Sequence, residues 1–426
     1  VGTVLSVEFR TESIMPEPSE HIGRRVRIAR IAAGLSQSEL AGLLGRSDRW
    51  IEEVEASRLS LDRYSVICSI AEICHVDVVW LLGQPYRLTR EAGSTAHSFI
   101  PALRTVLRRA SLILSNHPGL APTSASADID RMRAQATAVS RARQKASLSD
   151  AASLLPGLLE ELNTALLARD RGPERTAVLT LVVDVARNAR QTLNQLGYPD
   201  LAWNAAEVAA GAATQLDDPI AKAAVAWDRC GAMLHQGSMP ETEAIALAAL
   251  RDLEPLTSGG DEAALALQGA LTLRHVIACA RAGRSEDAWE HTQRALEIAG
   301  RLPAGFADLR FHTVFGRPNV QVHAAEVGVE IEEPGKGLSF VEDVNVADVP
   351  SRERLTHYKI DRARALQQMG KAAESVLTLR EAAAGAPLYV YAHPMARALV
   401  EDLARKGVPS QAAALSGLVR NMSLVA

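Results

Sequence analysis

The chain has 426 residues, 47% of them hydrophobic and 23% charged, with a formal net charge of −4; this length exceeds one ordinary hydrophobic core, so two or more domains are expected. Aromatics make up only 4%, alanine and leucine dominate, and alternating β-branched runs are few, which argues against a mainly β architecture and predicts an all-α fold. No run of about 18 apolar residues stands out, the cysteines Cys68, Cys74, Cys230 and Cys279 form no CxxC pair, and no histidine stands at zinc-finger spacing; the expectation is a cytoplasmic protein with no membrane span, disulfide framework, structural metal site or cofactor.

In chain order, residues 1–19 read as a flexible leader. His21 to Ala33 is an amphipathic helix with Ile22, Val26, Ala29 and Ala33 on one stripe, closed by Gly34. The stretch LSQSELAGLLGRSDRWIEEVEASR, Leu35 to Arg58, reads as two short helices and a tight turn. Leu40, Ala41, Leu44, Ile51 and Val54 supply the apolar positions, Ser36 and Ser47 stand where N-caps belong, and Gly45 falls in the turn. A fourth helix spans Leu61 to His75, with Tyr64, Ile67, Ile70 and Ala71 facing inward, and a fifth spans Val76 to Leu82. Residues 20–87 therefore form a five-helix domain in which nine arginines are balanced by nine acidic residues, less basic than a DNA-binding domain usually is.

Residues 88–172 read as a helical connector, with helices over Ile100–Leu114 and from about Asp128 to Ala146. The second of these is basic, carrying Arg131, Arg133, Arg141, Arg143 and Lys145. From residue 173 to 426 the pattern repeats. Gly197, Gly283 and Gly370 each end an apolar helix, and five residues later stand the small residues Ala202, Ala288 and Ser375. Two looser copies turn near Gly237 and near EEPGKG, Glu332 to Gly337. Five helix pairs stacked as an α-solenoid are expected.

The segment Arg25 to Gly83 resembles the Cro/C1-type (Xre) helix-turn-helix family, including the Ser-Gln opening of its second helix and the closing WLLG. The resemblance implies an ion pair between Arg30 and Glu55, and DNA contacts from Gln37 and from the start of the third helix: Ser47, Asp48, Arg49 and, one turn on, Glu53. Arg49 suits guanine O6 and N7, Gln37 a phosphate or an adenine edge, and Glu53 only cytosine N4. Arg58 and Arg63, beyond the helix, suit phosphates. The segment departs from the family in the acidic pair Glu52 and Glu53 and in Ser57, which replaces the usual glycine.

The repeats resemble the C-terminal half of actinobacterial regulators that join an Xre domain to tetratricopeptide repeats, through LGYPDLAW, ARAGRSEDAW, VFGRPNVQVH and VPSRERLTHYKIDRARAL. That architecture is shared with peptide-responsive quorum-sensing regulators. Repeat offsets put Asp184, Arg187, Gln191, Asn194, Trp227, His235, Ile277, Arg281, Asn319, Glu326, His357, Arg364 and Gln367 on the concave wall, where amides and charges suit a peptide or a small molecule. The expectation is a transcriptional regulator that binds a double-stranded DNA operator as a homodimer and answers to such an effector. The alternative is a tetratricopeptide interaction module with a weakened helix-turn-helix. Catalysis is not expected: Cys74 and His75 are adjacent and diverge by about 100° on a helix, Gly259-Gly260 lacks the rest of a phosphate loop, and His312, His323 and His357 are scattered.

Overall fold

Serine caps and left-handed turn residues cut the N-terminal part of the chain into short helices: α1 (Ile22–Ala32), α2 (Gln37–Leu43), α3 (Asp48–Glu55), α4 (Tyr64–Ile73) and α5 (Val78–Leu82). The computed structural model describes residues 21–86, 91–117, 119–120, 128–169, 171–342 and 348–424, and their regular structure is helical throughout; the expected leader, residues 1–19, lies outside them. Ser36 opens α2 with a capping box, accepting from Glu39 N at 3.2 Å while the Glu39 carboxylate accepts from Ser36 N at 2.8 Å. Ser47 caps α3 by accepting from Trp50 N at 3.2 Å. After α3 the chain turns at Ser57 with φ of +56°, a conformation that glycine would adopt without Cβ strain. Val26, Leu40, Ile51, Val54, Ile67, Ile70 and Leu81 form the core of this unit. Arg30, 8% exposed, donates to both Glu55 oxygens at 2.5 and 2.9 Å and to the Leu35 carbonyl at 2.7 Å, which ties α1, α3 and the intervening turn together.

The residues expected as a connector form α6 (Glu91–Ser98), α7 (Ile100–Leu114), α8 (Ile129–Gln144) and α9 (Leu148–Leu167). Five helix pairs follow: α10 (Pro173–Gln195) with α11 (Pro199–Leu216), α12 (Pro219–Gln236) with α13 (Met239–Ser258), α14 (Glu262–Arg281) with α15 (Ser285–Gly300), α16 (Arg317–Glu330) with α17 (Pro334–Ser339), and α18 (Arg352–Gln368) with α19 (Ala372–Gly385). The chain ends in α20 (Pro387–Tyr391), α21 (Pro394–Lys406) and α22 (Ala412–Asn421). The repeat signature works as its chemistry requires. Ala202, Ala288 and Ser375 are each 0% exposed, so the second helix of a pair lies directly against the first. The shortest pair is tightly packed: a Cβ on Gly337 would stand 2.6 Å from the Ala324 carbonyl oxygen.

Stacking curls the pairs until α8 packs against both α10 and α18. Leu103 and Leu107 of α7, Leu155 and Leu162 of α9, and Val182 and Ala186 of α10 share one apolar core with Val376 and Leu379 of α19. The basic helix α8 divides accordingly. Arg131 and Arg133 stay exposed, paired with Glu161 at 2.8 Å and Asp130 at 2.5 Å. Arg143, 2% exposed, bridges Asn188 at 2.8 Å and Glu353 at 2.9 Å. One point corrects the sequence reading: α14 is long and apolar enough to cross a membrane, yet 83% of its apolar window is buried within the protein, as befits the inner helix of a stack that is apolar on most sides.

Candidate DNA interface and central cavity

At the start of α3, Ser47, Asp48 and Arg49 are exposed, and the Arg49 guanidinium has no ion pair among the described residues. Its neighbours are engaged. The Gln37 amide donates to Glu55 at 2.9 Å, so it braces the Arg30 ion pair. Arg58 donates to Glu53 at 2.9 Å and to Glu52 at 3.4 Å, which offsets one of the two negative charges that the sequence places on this face. Arg63 is turned away, 16% exposed by side chain and 2.8 Å from Glu332 at the end of α16. Arg46, which sequence reasoning passed over, lies over the Trp50 ring at 5.6 Å beside the α2–α3 turn.

The opposite side of the same unit is docked in the mouth of the solenoid. Helix α4 starts at Arg63 without a side-chain cap of its own. Glu330 of α16 supplies one: its carboxylate accepts from Tyr64 N at 3.4 Å and from Ser65 N and Oγ at 3.3 Å each, an anion at a helix N-terminus. Arg364 of α18 holds that carboxylate at 3.0 Å and donates to the Asp62 carbonyl at 2.8 Å. The Tyr64 hydroxyl donates to the His235 carbonyl at 2.6 Å, and Arg281 stacks over its ring at 4.5 Å. Met395, from just inside α21, joins the apolar core of the small unit.

Behind Tyr64 lies a cavity of about 130 Å³ whose walls include Gln191, Asn194, Trp227, His235, Ile277, Arg281, Glu326, His357 and Arg364. Arg190, Arg274, His323, Arg354 and His393 also line it, together with Tyr64 and Gln84 from the small unit. Arg274 lies over the Trp227 ring at 4.2 Å and has no ion pair among the described residues; burial and the neighbouring Arg190 pull it down to about 10. Arg354 keeps Nε and Nη2 buried without a hydrogen-bond partner. Three carboxylates share the lining: Glu326 pairs with Arg281 at 3.1 Å, Glu353 with Arg143 at 2.9 Å, and Asp361 with Arg364 at 3.1 Å, leaving Asp361 Oδ2 without a hydrogen-bond partner. The cavity therefore offers unmatched positive charge.

Residues 21–79 match a helix-turn-helix domain family model. No curated protein matches the chain. Among solved structures the chain is similar to PlcR of Bacillus thuringiensis, crystallised in complex with the peptide PapR7 and DNA, at 11% identity over 84% of this chain and 98% of that one, with a TM-score of 0.36.

The helix-turn-helix domain thus presents α3 outward and α4 inward. Of the concave residues expected from the repeats, Asp184, Arg187 and Asn319 lie outside the cavity lining. Arg187 is 1% exposed because Asp228 and the Phe311 carbonyl take its donors; Asn319 donates to the Thr313 carbonyl at 3.3 Å. Gln367 lines a separate cleft beside Asp402. Arg274 escaped sequence reasoning although a signal existed: it stands seven residues, about two turns, before Arg281 and so shares its face.

The enclosed histidines make stability depend on pH. Burial pulls His235 down to about 3, helped by Arg281 against the Gly231 carbonyl, and burial with Arg143 pulls His312 down to about 4. From the ordinary value of 6.5 down to these values the unfolded chain binds more protons than the folded one. Stability is then fully present above 6.5 and falls on acidification, by up to about 1.4 kcal/mol per pH unit for each ring. Asp361, pushed up from its ordinary value of 3.8 by burial, acts in the opposite sense above that value. Urea midpoints measured from neutral pH down to about pH 4 should fall, and His235→Asn should flatten the slope.

Proposed function

We propose that the chain is a sequence-specific DNA-binding transcriptional regulator whose solenoid senses a peptide or small molecule. The observation that carries this reading is the orientation of the helix-turn-helix domain: Ser47, Asp48 and Arg49 face solvent while α4 is held at Tyr64 by Glu330, itself held by Arg364. A helix of this kind enters the major groove by its N-terminal residues. Two such domains in a homodimer read two half-sites, with the solenoids setting their separation. Because Tyr64 and Gln84 line the cavity, an occupant contacts the DNA-binding domain directly and shifts the balance between docked orientations through its different affinity for each.

The unmatched Arg274 and Arg354 select an effector with an anionic group, such as a carboxylate. At about 130 Å³ the docked cavity suits a group of roughly benzene size, so an extended peptide fits only if its walls move apart. DNA binding is tested by selecting duplexes from a random pool with the protein, then measuring fluorescence anisotropy across a salt series. Affinity should fall as salt rises. Arg49→Ala should weaken specific binding by about 1–3 kcal/mol and relax one base position. A protein that enriches no sequence from the pool sinks the proposal.

A further inference from the structure

We propose that His275, Cys279, His291 and Glu243 form a transition-metal site of zinc type between α13, α14 and α15, apart from both the DNA-facing surface and the central cavity. His275 and Cys279 are four residues apart on α14, about one turn, so their side chains share a face. His291 meets them from α15. The donor atoms of these three residues all lie within 4.8 Å of one another, and the two imidazole rings have centroids 4.5 Å apart. Glu243 of α13 brings Oε1 to 3.4 Å from His275 Nε2, which places an oxygen donor beside the two nitrogens and the sulfur.

Tetrahedral zinc, with bonds of about 2.0–2.1 Å to nitrogen and about 2.3 Å to sulfur, needs donors roughly 3.3–3.8 Å apart. Side-chain adjustments of about an ångström bring the two nitrogens and the sulfur to that spacing, and the Glu243 carboxylate turns in from His275 as the fourth ligand. Cys279 is 0% and His275 6% exposed, whereas His291 is half-buried, so the soft ligand is inside and an imidazole stands at the entrance. The other Glu243 oxygen accepts from Arg284 at 2.6 Å, an outer partner that aims the carboxylate. Thiolate with imidazole favours zinc or cobalt over magnesium or calcium, and the thiol gives up one proton to solvent as the ion binds. The other clustered donor set, Glu326, His357 and Asp361, has no sulfur, and its carboxylates are paired with Arg281 and Arg364.

The test uses the untagged chain, reduced and freed of metal, titrated with Co(II) and then Zn(II). One cobalt per chain is expected, with the intense visible bands of tetrahedral coordination and a thiolate charge-transfer band in the near ultraviolet, all erased by zinc. Cys279→Ala should abolish the charge-transfer band. His291→Ala, at a half-buried position, should keep its helicity and lose zinc affinity by about tenfold or more, which decides the matter if the cysteine variant does not fold. A parent chain without the thiolate band, or a folded His291→Ala chain that binds zinc as tightly as the parent, overturns the site.

Discussion

Replacing Asp228 by alanine is expected to lower folding stability by about 3–5 kcal/mol, the range found when one partner of a buried ion pair is removed. Asp228 is 0% exposed on α12, and both of its oxygens are held by Arg187 and Arg190 of α10. Burial alone would push the carboxyl up, but the two guanidiniums more than reverse this and hold it below the usual carboxylate range. Without it, Arg187 keeps the Phe311 carbonyl at 2.8 Å, and both arginines keep the Trp227 ring at 6.0 and 5.4 Å. Those contacts do not neutralise two cations that are 1% and 3% exposed. Urea unfolding measures the loss; a shift under about 1 kcal/mol would mean that water reaches the arginines and that the triad is not a dry staple between the first two repeats.

The second large effect is expected at the dock. Glu330→Ala should cost about 1.5–3 kcal/mol, the worth of hydrogen bonds to a charged group, because it removes the cap of α4 and one partner of Arg364 together. The loss stays at the lower end of what a broken buried pair costs, since Arg364 retains Asp361 at 3.1 Å. Amide exchange should locate it. The Tyr64 and Ser65 amides should exchange about ten- to hundredfold faster, while the inner amides of α14 keep their protection. Equal acceleration in both places would show that Glu330 supports the solenoid at large and not the dock. The exposed residues at the start of α3 lie on the other side of the domain, so under the proposed function this variant should retain sequence-specific binding and lose its response to an effector.

The features legible in the sequence were those with local signatures. Helical period, serine caps and turn glycines located α1 to α5, and the interval from Gly197 to Ala202, repeated at Gly283 and Gly370, located the paired helices. The Arg30–Glu55 pair followed from the family resemblance and stands at 2.5 Å. What stayed hidden depends on contacts between distant parts of the chain. Nothing near Tyr64 in sequence announces Glu330, and nothing near Arg63 announces Glu332. Charge counting likewise treated Arg58, Arg63 and Arg187 as available cations, when folding gives each a carboxylate. The cavity was half legible: repeat offsets found Trp227, Arg281 and Glu326, but Tyr64 and Gln84 arrive from another domain, and His393 comes from beyond the last repeat.

The carboxylate that Glu330 places at the first turn of α4 has a consequence for inheritance. The architecture invites the picture of interchangeable cassettes, a small head joined to any solenoid body. Here the head borrows the start of one helix, and through Met395 part of its interior, from the body. A gene fusion that exchanged heads at the junction after Tyr86 would inherit an uncapped helix and a gap. Only recombinants that also carried matching residues at positions 330, 364 and 395 would reassemble the joint, so head and body are expected to descend as a single unit.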